Sequence, residues 1–230
     1  MKQLLLLLVA FLLATQTKAQ EQNDTKWAIM PYVGVSLSTS TSAAIFIDTN
    51  KEIREKFTSG FTAGVDVIYR NNGSSAFSAG LNYTQAGWGY KDALFEDPKK
   101  GGTAYQNSWQ RLHYVSIPLM GHLYLNERFA IKTGIQIGYL VGAKLHLEEH
   151  PYTISADGRY TYDEKVVTNI NETEGLNKID VLIPMGISYE YNNVVLDVRY
   201  AIGLTKTEKY FFTSENNRII TATVGYKFKL

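Results

Sequence analysis

The sequence contains no cysteine, and it has only five prolines and four histidines. Without cysteine the chain has no disulfide framework, no thiolate metal site, no cysteine nucleophile and no lipid anchor on an N-terminal cysteine. The formal net charge of +1 gives no electrostatic case for nucleic-acid binding. Phosphate-binding loops, dinucleotide fingerprints and nucleophile elbows are absent as well. We therefore expect a chain that binds no nucleic acid and carries no cofactor.

Long apolar runs are also absent beyond the first residues. The segment Leu4 to Leu13 is apolar throughout, but it is shorter than the ~18 residues that a membrane-spanning helix needs. It follows a positive start at Met1-Lys2 and precedes a small-x-small cleavage site at Thr17-Lys18-Ala19. This arrangement predicts a signal peptide over residues 1–19 and a single mature domain over residues 20–230. An exported chain without a spanning helix can cross a membrane only as a closed β-barrel.

The residues that are present favour β-structure. Sixteen tyrosines, scarce proline and a slightly negative mean hydropathy are typical of strands with one apolar face and one polar face. The segment 218–230 alternates strictly between the two kinds of residue. Such a segment suits the last strand of a barrel in lipid, which must pair with the first. Its apolar face carries Ile220, Ala222, Val224, Tyr226, Phe228 and Leu230.

Eight segments have the composition and alternation of strands, and their connections alternate in length. Short turns rich in Asn and Gly are predicted at residues 71–74, 126–127 and 192–193, because these residues tolerate the positive φ of tight hairpins. Long connections fall at residues 38–58, 89–109, 143–177 and 205–217. The pattern predicts an all-β protein, an eight-stranded antiparallel transmembrane up-and-down β-barrel with its long loops on the external side. The predicted strands are 27–37, 59–70, 75–88, 110–125, 128–142, 178–191, 194–204 and 218–230.

The polar faces of these segments combine glycines with charges of both signs. Small residues suit the crowded lumen of a narrow barrel, and mixed charges can neutralise one another there. We therefore predict a polar network in the lumen, formed by Asp66, Lys132, Asp180, Glu190, Asp197, Arg199 and Lys227. Aromatic residues gather near both strand ends, which predicts interfacial girdles with Trp27, Phe77 and Phe129 at one rim and Phe61, Tyr83 and Trp88 at the other.

Several segments resemble the PorT-like family of small outer-membrane β-barrel proteins. They are Tyr114 to Met120, Gly134 to Leu140, Gly186 to Tyr191, Arg199 to Thr205 and the terminal Gly225 to Leu230. The resemblance extends over essentially the whole mature chain. It implies insertion by the outer-membrane assembly machinery, with Tyr226, Phe228 and Leu230 in the strand that this machinery recognises. The family also includes a component of a protein-secretion and gliding apparatus.

Residues with catalytic or metal-binding chemistry are sparse. His146 and His150 flank Glu148-Glu149, but Pro151 follows at once, so a helical metal site is disfavoured against a solvated acidic loop. His122 is expected to point into the lumen with a hydrogen-bond partner. His113 with Ser116 or Ser108 gives half of a hydrolase site without a third member. We therefore expect no metal site and no enzyme.

The third long connection contains an Asp-Gly turn between two alternating segments, which is a strong hairpin pattern. We predict that strands five and six continue above the membrane as an exposed hairpin, whose edges are available to a protein partner. Its candidate contact residues are Tyr152, Ile154, Asp157, Gly158, Tyr160 and Tyr162. The segment 49–57 is expected to form one or two helical turns.

These features favour a non-enzymatic barrel of the bacterial outer membrane with a structural or interaction role through its external loops. Such a barrel would contact outer-membrane lipid and lipopolysaccharide, the assembly machinery and a protein partner, as a subunit of a surface or secretion complex. A small-solute pore and a periplasmic, calycin-like lipid binder are the main alternatives. An outer-membrane hydrolase that uses His113 is a further one.

Overall fold

The computed structural model describes residues 26–41, 45–48, 51–53, 55–71, 73–97, 101–171, 173–209 and 216–230. The predicted signal peptide, residues 1–19, lies outside these residues. A helix long and apolar enough to cross a membrane does not occur among the described residues.

Eight antiparallel strands form a closed ring in which every strand pairs with its neighbours along the chain. The last strand pairs with the first, from Tyr32 opposite Gly225 to Ser40 opposite Asn217. The prediction of an eight-stranded up-and-down barrel is therefore confirmed. The strands are β1 (Trp27–Ser40), β2 (Thr58–Arg70), β3 (Ser75–Tyr90), β4 (Gly101–Tyr124), β5 (Phe129–Ile154), β6 (Ile179–Tyr191), β7 (Val194–Gly203) and β8 (Asn217–Tyr226).

The three short turns lie where the sequence predicts them. Asn192 and Asn193 have φ values of 48° and 65°, which Asn tolerates better than other non-glycine residues. The Asn126 side chain accepts hydrogen bonds from the backbone N–H groups of Arg128 (2.9 Å) and Phe129 (2.8 Å). The Asn126 bonds fix the β4–β5 register at the turn side of the barrel, and the two positive-φ asparagines form the tight β6–β7 turn.

The long connections contain more strand than the sequence indicates. β4 and β5 remain paired far beyond the predicted ends of strands four and five, up to Gly102 opposite Tyr152. The predicted helical turns at 49–57 are wrong, since the described residues of that segment pair as strands. The additional short strands are Ile45–Asp48, Lys51–Ile53, Glu55–Lys56, Ala93–Asp97, Tyr160–Tyr162, Val166–Ile170 and Phe228–Lys229.

The outside of the ring is apolar, opposite to a water-soluble barrel, and the polar and charged side chains of the strands point inside. On β5, for example, Ile131, Ile135 and Ile137 are exposed, whereas Lys132 and Gln136 are buried. Because only lipid accepts a continuous apolar exterior of this extent, the alternation identifies a membrane-spanning wall. Other exposed apolar side chains are Val33, Val35, Val65, Val67, Leu81, Ile117, Leu119, Ile183, Ile187, Leu196, Val198 and Val224.

Aromatic residues line both rims of this wall, with one exception to the prediction. The Trp27 and Tyr69 rings lie 4.8 Å apart at the turn side, and the Phe61 and Tyr83 rings lie 5.3 Å apart at the loop side. Trp88, predicted for the loop-side girdle, is wholly buried inside the barrel. It occupies an even position on β3, where side chains point inward.

Close contact between β1 and β8 depends on Gly34. A Cβ atom at Gly34 would overlap the backbone of β8 at Ala222 and would lie 2.6 Å from the Cα of Thr223. The close approach leaves no room for any side chain at the seam that closes the ring.

We therefore expect Gly34→Ala to lower the free energy of unfolding by about 1–3 kcal/mol, as overpacking does elsewhere. Gly121→Ala is the matched control, because its Cβ would lie 3.8 Å from the nearest atom, the carbonyl oxygen of Thr133. Urea titration in lipid vesicles measures both variants. Equal stability of the two would contradict the tight seam.

Candidate functional site

A neutral cluster of four charged side chains lies in the middle of the lumen. Arg199 donates to Asp66 (Nη2 to Oδ2, 3.0 Å) and to Asp197 (Nε to Oδ1, 2.6 Å). Lys132 pairs with Asp197 on its other side. All four side chains are at most 8% exposed. Two cations therefore balance two anions away from water, which is the condition for tolerating buried charge.

The other three residues of the predicted network lie apart from this cluster. Lys227 pairs with Glu190 near the turn side. Asp180 lies near the loop side and has neutral partners, accepting from Asn217 Nδ2 (2.6 Å) and Thr205 Oγ1 (2.8 Å). The structure thus divides the predicted network into three groups at different heights. Sequence reasoning missed Asn217, although its position facing the lumen on β8 follows from the alternation of that strand.

Apolar clusters fill the lumen above and below the central charges. The loop-side cluster consists of Ala86, Trp88, Tyr90, Leu112, Tyr114, Leu140, Ala143, Leu176, Leu182, Ala201 and Ile219. The turn-side cluster consists of Ala28, Met30, Tyr32, Ile68, Ala76 and Val195, with Tyr124 packed against it. Between them, a polar cavity of about 20 Å³ borders Arg199, Gln136 and Asn82. That volume holds about one water molecule.

An external sheet rises above the barrel from β4 and β5. On one side, Ala93–Asp97 pairs with β4. On the other side, Val166–Ile170 and Tyr160–Tyr162 pair with β5. The predicted hairpin between strands five and six is therefore confirmed: β5 is its first limb, and Tyr160–Tyr162 and Val166–Ile170 form the limb that returns towards β6 at Ile179. The sequence did not predict that β4 extends with it, paired up to Gly102 opposite Tyr152.

The predicted Asp-Gly turn lies at the tip of this sheet. Ser155 and Arg159 bracket it with a 2.9 Å backbone hydrogen bond, and Gly158 has a φ of +79°. Ile154 lies opposite Tyr160, and Asp157 pairs with Arg159 in solvent. Tyr160 and Tyr162 are 53% and 65% exposed, but Tyr152 is 3% exposed beneath their rings. Tyr152 therefore supports the hairpin from inside and offers no surface to a partner.

An ion pair between Glu148 on β5 and Lys165 holds the outer limb of the sheet, Val166–Ile170, against β5. The Glu148 carboxylate accepts from Lys165 (3.1 Å) and lies 3.1 Å from His150 Nε2. The hydrogen bond from Lys165 lowers the pKa of Glu148 below its ordinary value, with a further contribution from His150. Because this carboxyl pKa is lowered, the Lys165–Glu148 ion pair is present at neutral pH and is lost as the pH falls through the lowered pKa.

The histidines do not form the sites that the alternatives need. His113 points outward and contacts the Tyr83 hydroxyl, whereas Ser116 is buried on the inner face of the same strand. Ser108 bonds the backbone of Gln106 and Glu148. His122 lies in the lumen, 2.8 Å from Ser78 Oγ. Among the described residues, no group of three or more His, Cys, Asp or Glu side chains has the geometry of a metal site.

The proposed assembly residues lie at the seam of the barrel. Phe228–Lys229 continues the pairing of β8 with β1, with Phe228 opposite Ile29. The backbone N–H of Leu230 donates to Trp27 at 3.0 Å. The Tyr226 and Phe228 rings lie 4.8 Å apart. Recognition of this strand by the assembly machinery remains a prediction.

Comparison with known families decides the identity of this barrel. A family model described as the outer membrane protein beta-barrel domain matches residues 18–208. The chain belongs to this family. The narrower prediction of a PorT-like member stays a prediction. None of the curated proteins matches the chain.

Several solved structures of bacterial surface and outer-membrane proteins resemble this chain in fold. The attachment invasion locus protein Ail of Yersinia pestis is 13% identical, with 88% of this chain and 99% of that chain covered and a TM-score of 0.45. Neisserial surface protein A is also 13% identical, with 89% and 98% covered and a TM-score of 0.44. OprG from Pseudomonas aeruginosa is 9% identical, with 92% and 100% covered and a TM-score of 0.42.

The central cluster leads to a stability prediction. We expect Arg199→Met to lower the free energy of unfolding by about 3–5 kcal/mol, because it leaves two buried carboxylates with only Lys132 to balance them. Urea titration in lipid vesicles, followed by tryptophan fluorescence, measures the loss. The control Lys132→Met/Asp197→Asn removes one charge of each sign and should be less destabilising. A larger loss in the control would show that the cluster is not balanced as described.

Proposed function

We propose that this outer-membrane barrel is a non-conducting anchor that binds a protein partner through its external sheet. The observation that carries the proposal is the contrast between the two parts of the molecule. The lumen is filled, with two apolar clusters around a balanced charge cluster. The external sheet, by contrast, has exposed edges and exposed apolar side chains.

The outer limb of the sheet has the features of a strand-addition site. Val166–Ile170 pairs with β5 along one edge, and within the described residues no strand pairs with its other edge. Val166, Val167 and Ile170 are between 40% and 49% exposed. An exposed β-branched edge offers unpaired backbone groups and apolar side chains to an incoming strand. Tyr160 and Tyr162 beside it add the aromatic surface that protein interfaces favour.

The alternatives receive less support. A periplasmic lipid binder needs a polar exterior, whereas the exterior of this barrel is apolar. A hydrolase based on His113 has no serine on the same face at hydrogen-bond distance among the described residues. Membership in a surface or secretion complex would require such a partner at the external sheet.

The filled lumen predicts the absence of a pore. In planar bilayers, the purified chain should give no steady conductance steps at neutral pH, because both apolar clusters exclude water from the path. Stable, ion-selective openings from protein with intact heat-modifiable gel mobility would overturn the anchor hypothesis and favour the pore.

The external edge predicts where the partner binds. Val166→Lys should reduce cross-linked recovery of the partner from native membranes by about tenfold, equivalent to ~1.4 kcal/mol, because a charge on the edge opposes strand addition. Leu94→Lys is the matched control, since Leu94 is equally exposed, at 49%, in the short strand on the opposite side of the sheet. Equal recovery with wild type, Val166→Lys and Leu94→Lys would contradict binding at this edge.

A further inference from the structure

Two cations lie side by side on the outer face where β4 and β5 leave the apolar wall. Arg111 on β4 is directly opposite Lys144 on β5. Both approach the ring of Trp109, with the Arg111 guanidinium carbon 4.8 Å and Lys144 Nζ 5.8 Å from its centroid. The His146 ring also stacks on Trp109, with the two ring centroids 5.2 Å apart. We call Trp109, Arg111 and Lys144 the basic pair site.

The basic pair site has no anion of its own. Like charges directly opposite one another on neighbouring strands are destabilising, yet neither cation has a carboxylate partner among the described residues. The carboxylate nearest along the outer face, Glu148, is already bound by Lys165 and His150. Arg111 Nε is buried without an acceptor. An external anion would relieve the repulsion and complete the hydrogen bonding.

The height of the site indicates which anion is available. On β4 the exposed apolar residues run from Leu123 through Leu119 and Ile117 towards the loop side. A strand rises about 3.3 Å per residue and tilts by about 40° in such barrels, so Arg111 lies about 30 Å above Leu123 along the membrane normal. The apolar band is about 25 Å tall. Arg111 and Lys144 are therefore at the level of the lipid headgroups of the external leaflet.

We propose that the basic pair site binds a phosphate group of a phosphorylated glycolipid of the outer leaflet, as in lipid A. Arg111 offers a planar donor fork that matches two phosphate oxygens, and Lys144 adds a point charge from the opposite strand. Trp109 lies next to both cations at the interface, where an amphipathic ring can contact the sugar. The site lies on β4 and β5, whereas the partner hypothesis concerns the far edge of the adjacent segment Val166–Ile170, so different substitutions test the two proposals.

The test is binding of bisphosphorylated lipid A to the purified barrel in detergent, measured by native mass spectrometry. Wild type should bind it at least about tenfold more tightly than the same lipid A with its phosphates removed, since charge-assisted contacts are lost. Arg111→Gln/Lys144→Gln should lose this preference. The exchange Arg111→Lys/Lys144→Arg retains both charges and should retain most of the affinity.

The matched control removes the same two charges at the opposite rim. Lys26→Gln/Arg128→Gln alters two exposed cations on the turn side, so it equals the test variant in net charge. This control should bind lipid A as wild type does. Equal losses in the two double variants, or equal binding of phosphorylated and phosphate-free lipid A by wild type, would overturn the proposal. If the test variant fails to fold, Lys144→Gln alone replaces it, because Lys144 is exposed, and unchanged binding would then count against the site.

Discussion

The rest of the structure depends on the hydrogen-bonded closure of β8 onto β1. In lipid there is no water for an open sheet edge, so every strand of the wall must have two neighbours. The pairing from Tyr32 opposite Gly225 to Ser40 opposite Asn217 supplies the last of these contacts. Gly34 allows the two backbones to approach at that seam. Once the ring is closed, alternate side chains must enter a narrow lumen.

That confinement explains the chemistry of the interior. A ring of eight strands leaves room for side chains but little else, so any charge facing inward must find its partner there. Asp66, Asp197, Lys132 and Arg199 balance one another, while Asp180 relies on Asn217 and Thr205. Because the apolar clusters lie above and below these groups, the lumen stabilises the barrel. Outside the apolar wall, the external sheet carries exposed apolar side chains such as Val166 and Val167.

Alternation in the sequence was sufficient to predict the ring and the direction of most side chains. It placed all seven network residues at inward positions of their strands; six of them are buried, and Glu190 is half-buried near the turn side. It did not predict which of them meet, because contacts across a barrel depend on strand stagger, and stagger leaves no periodic pattern within one strand. Trp88 was misplaced because aromatic character outweighed its even position on β3.

The external sheet was harder to predict for a different reason. Above the membrane, both faces of β4 and β5 meet water or other loops, so the contrast between apolar and polar positions fades. Glu148, Glu149 and His150 therefore resembled a solvated loop although they belong to a strand. The register shifts twice in this pair, between Gln106 and Trp109 and between His113 and Tyr114.

Bulges of this kind bend and twist a strand pair. The two shifts flank Trp109 and Arg111, at the level where the pair leaves the wall. The two irregularities therefore lie at the same level as the facing cations Arg111 and Lys144, which the proposed phosphate site uses.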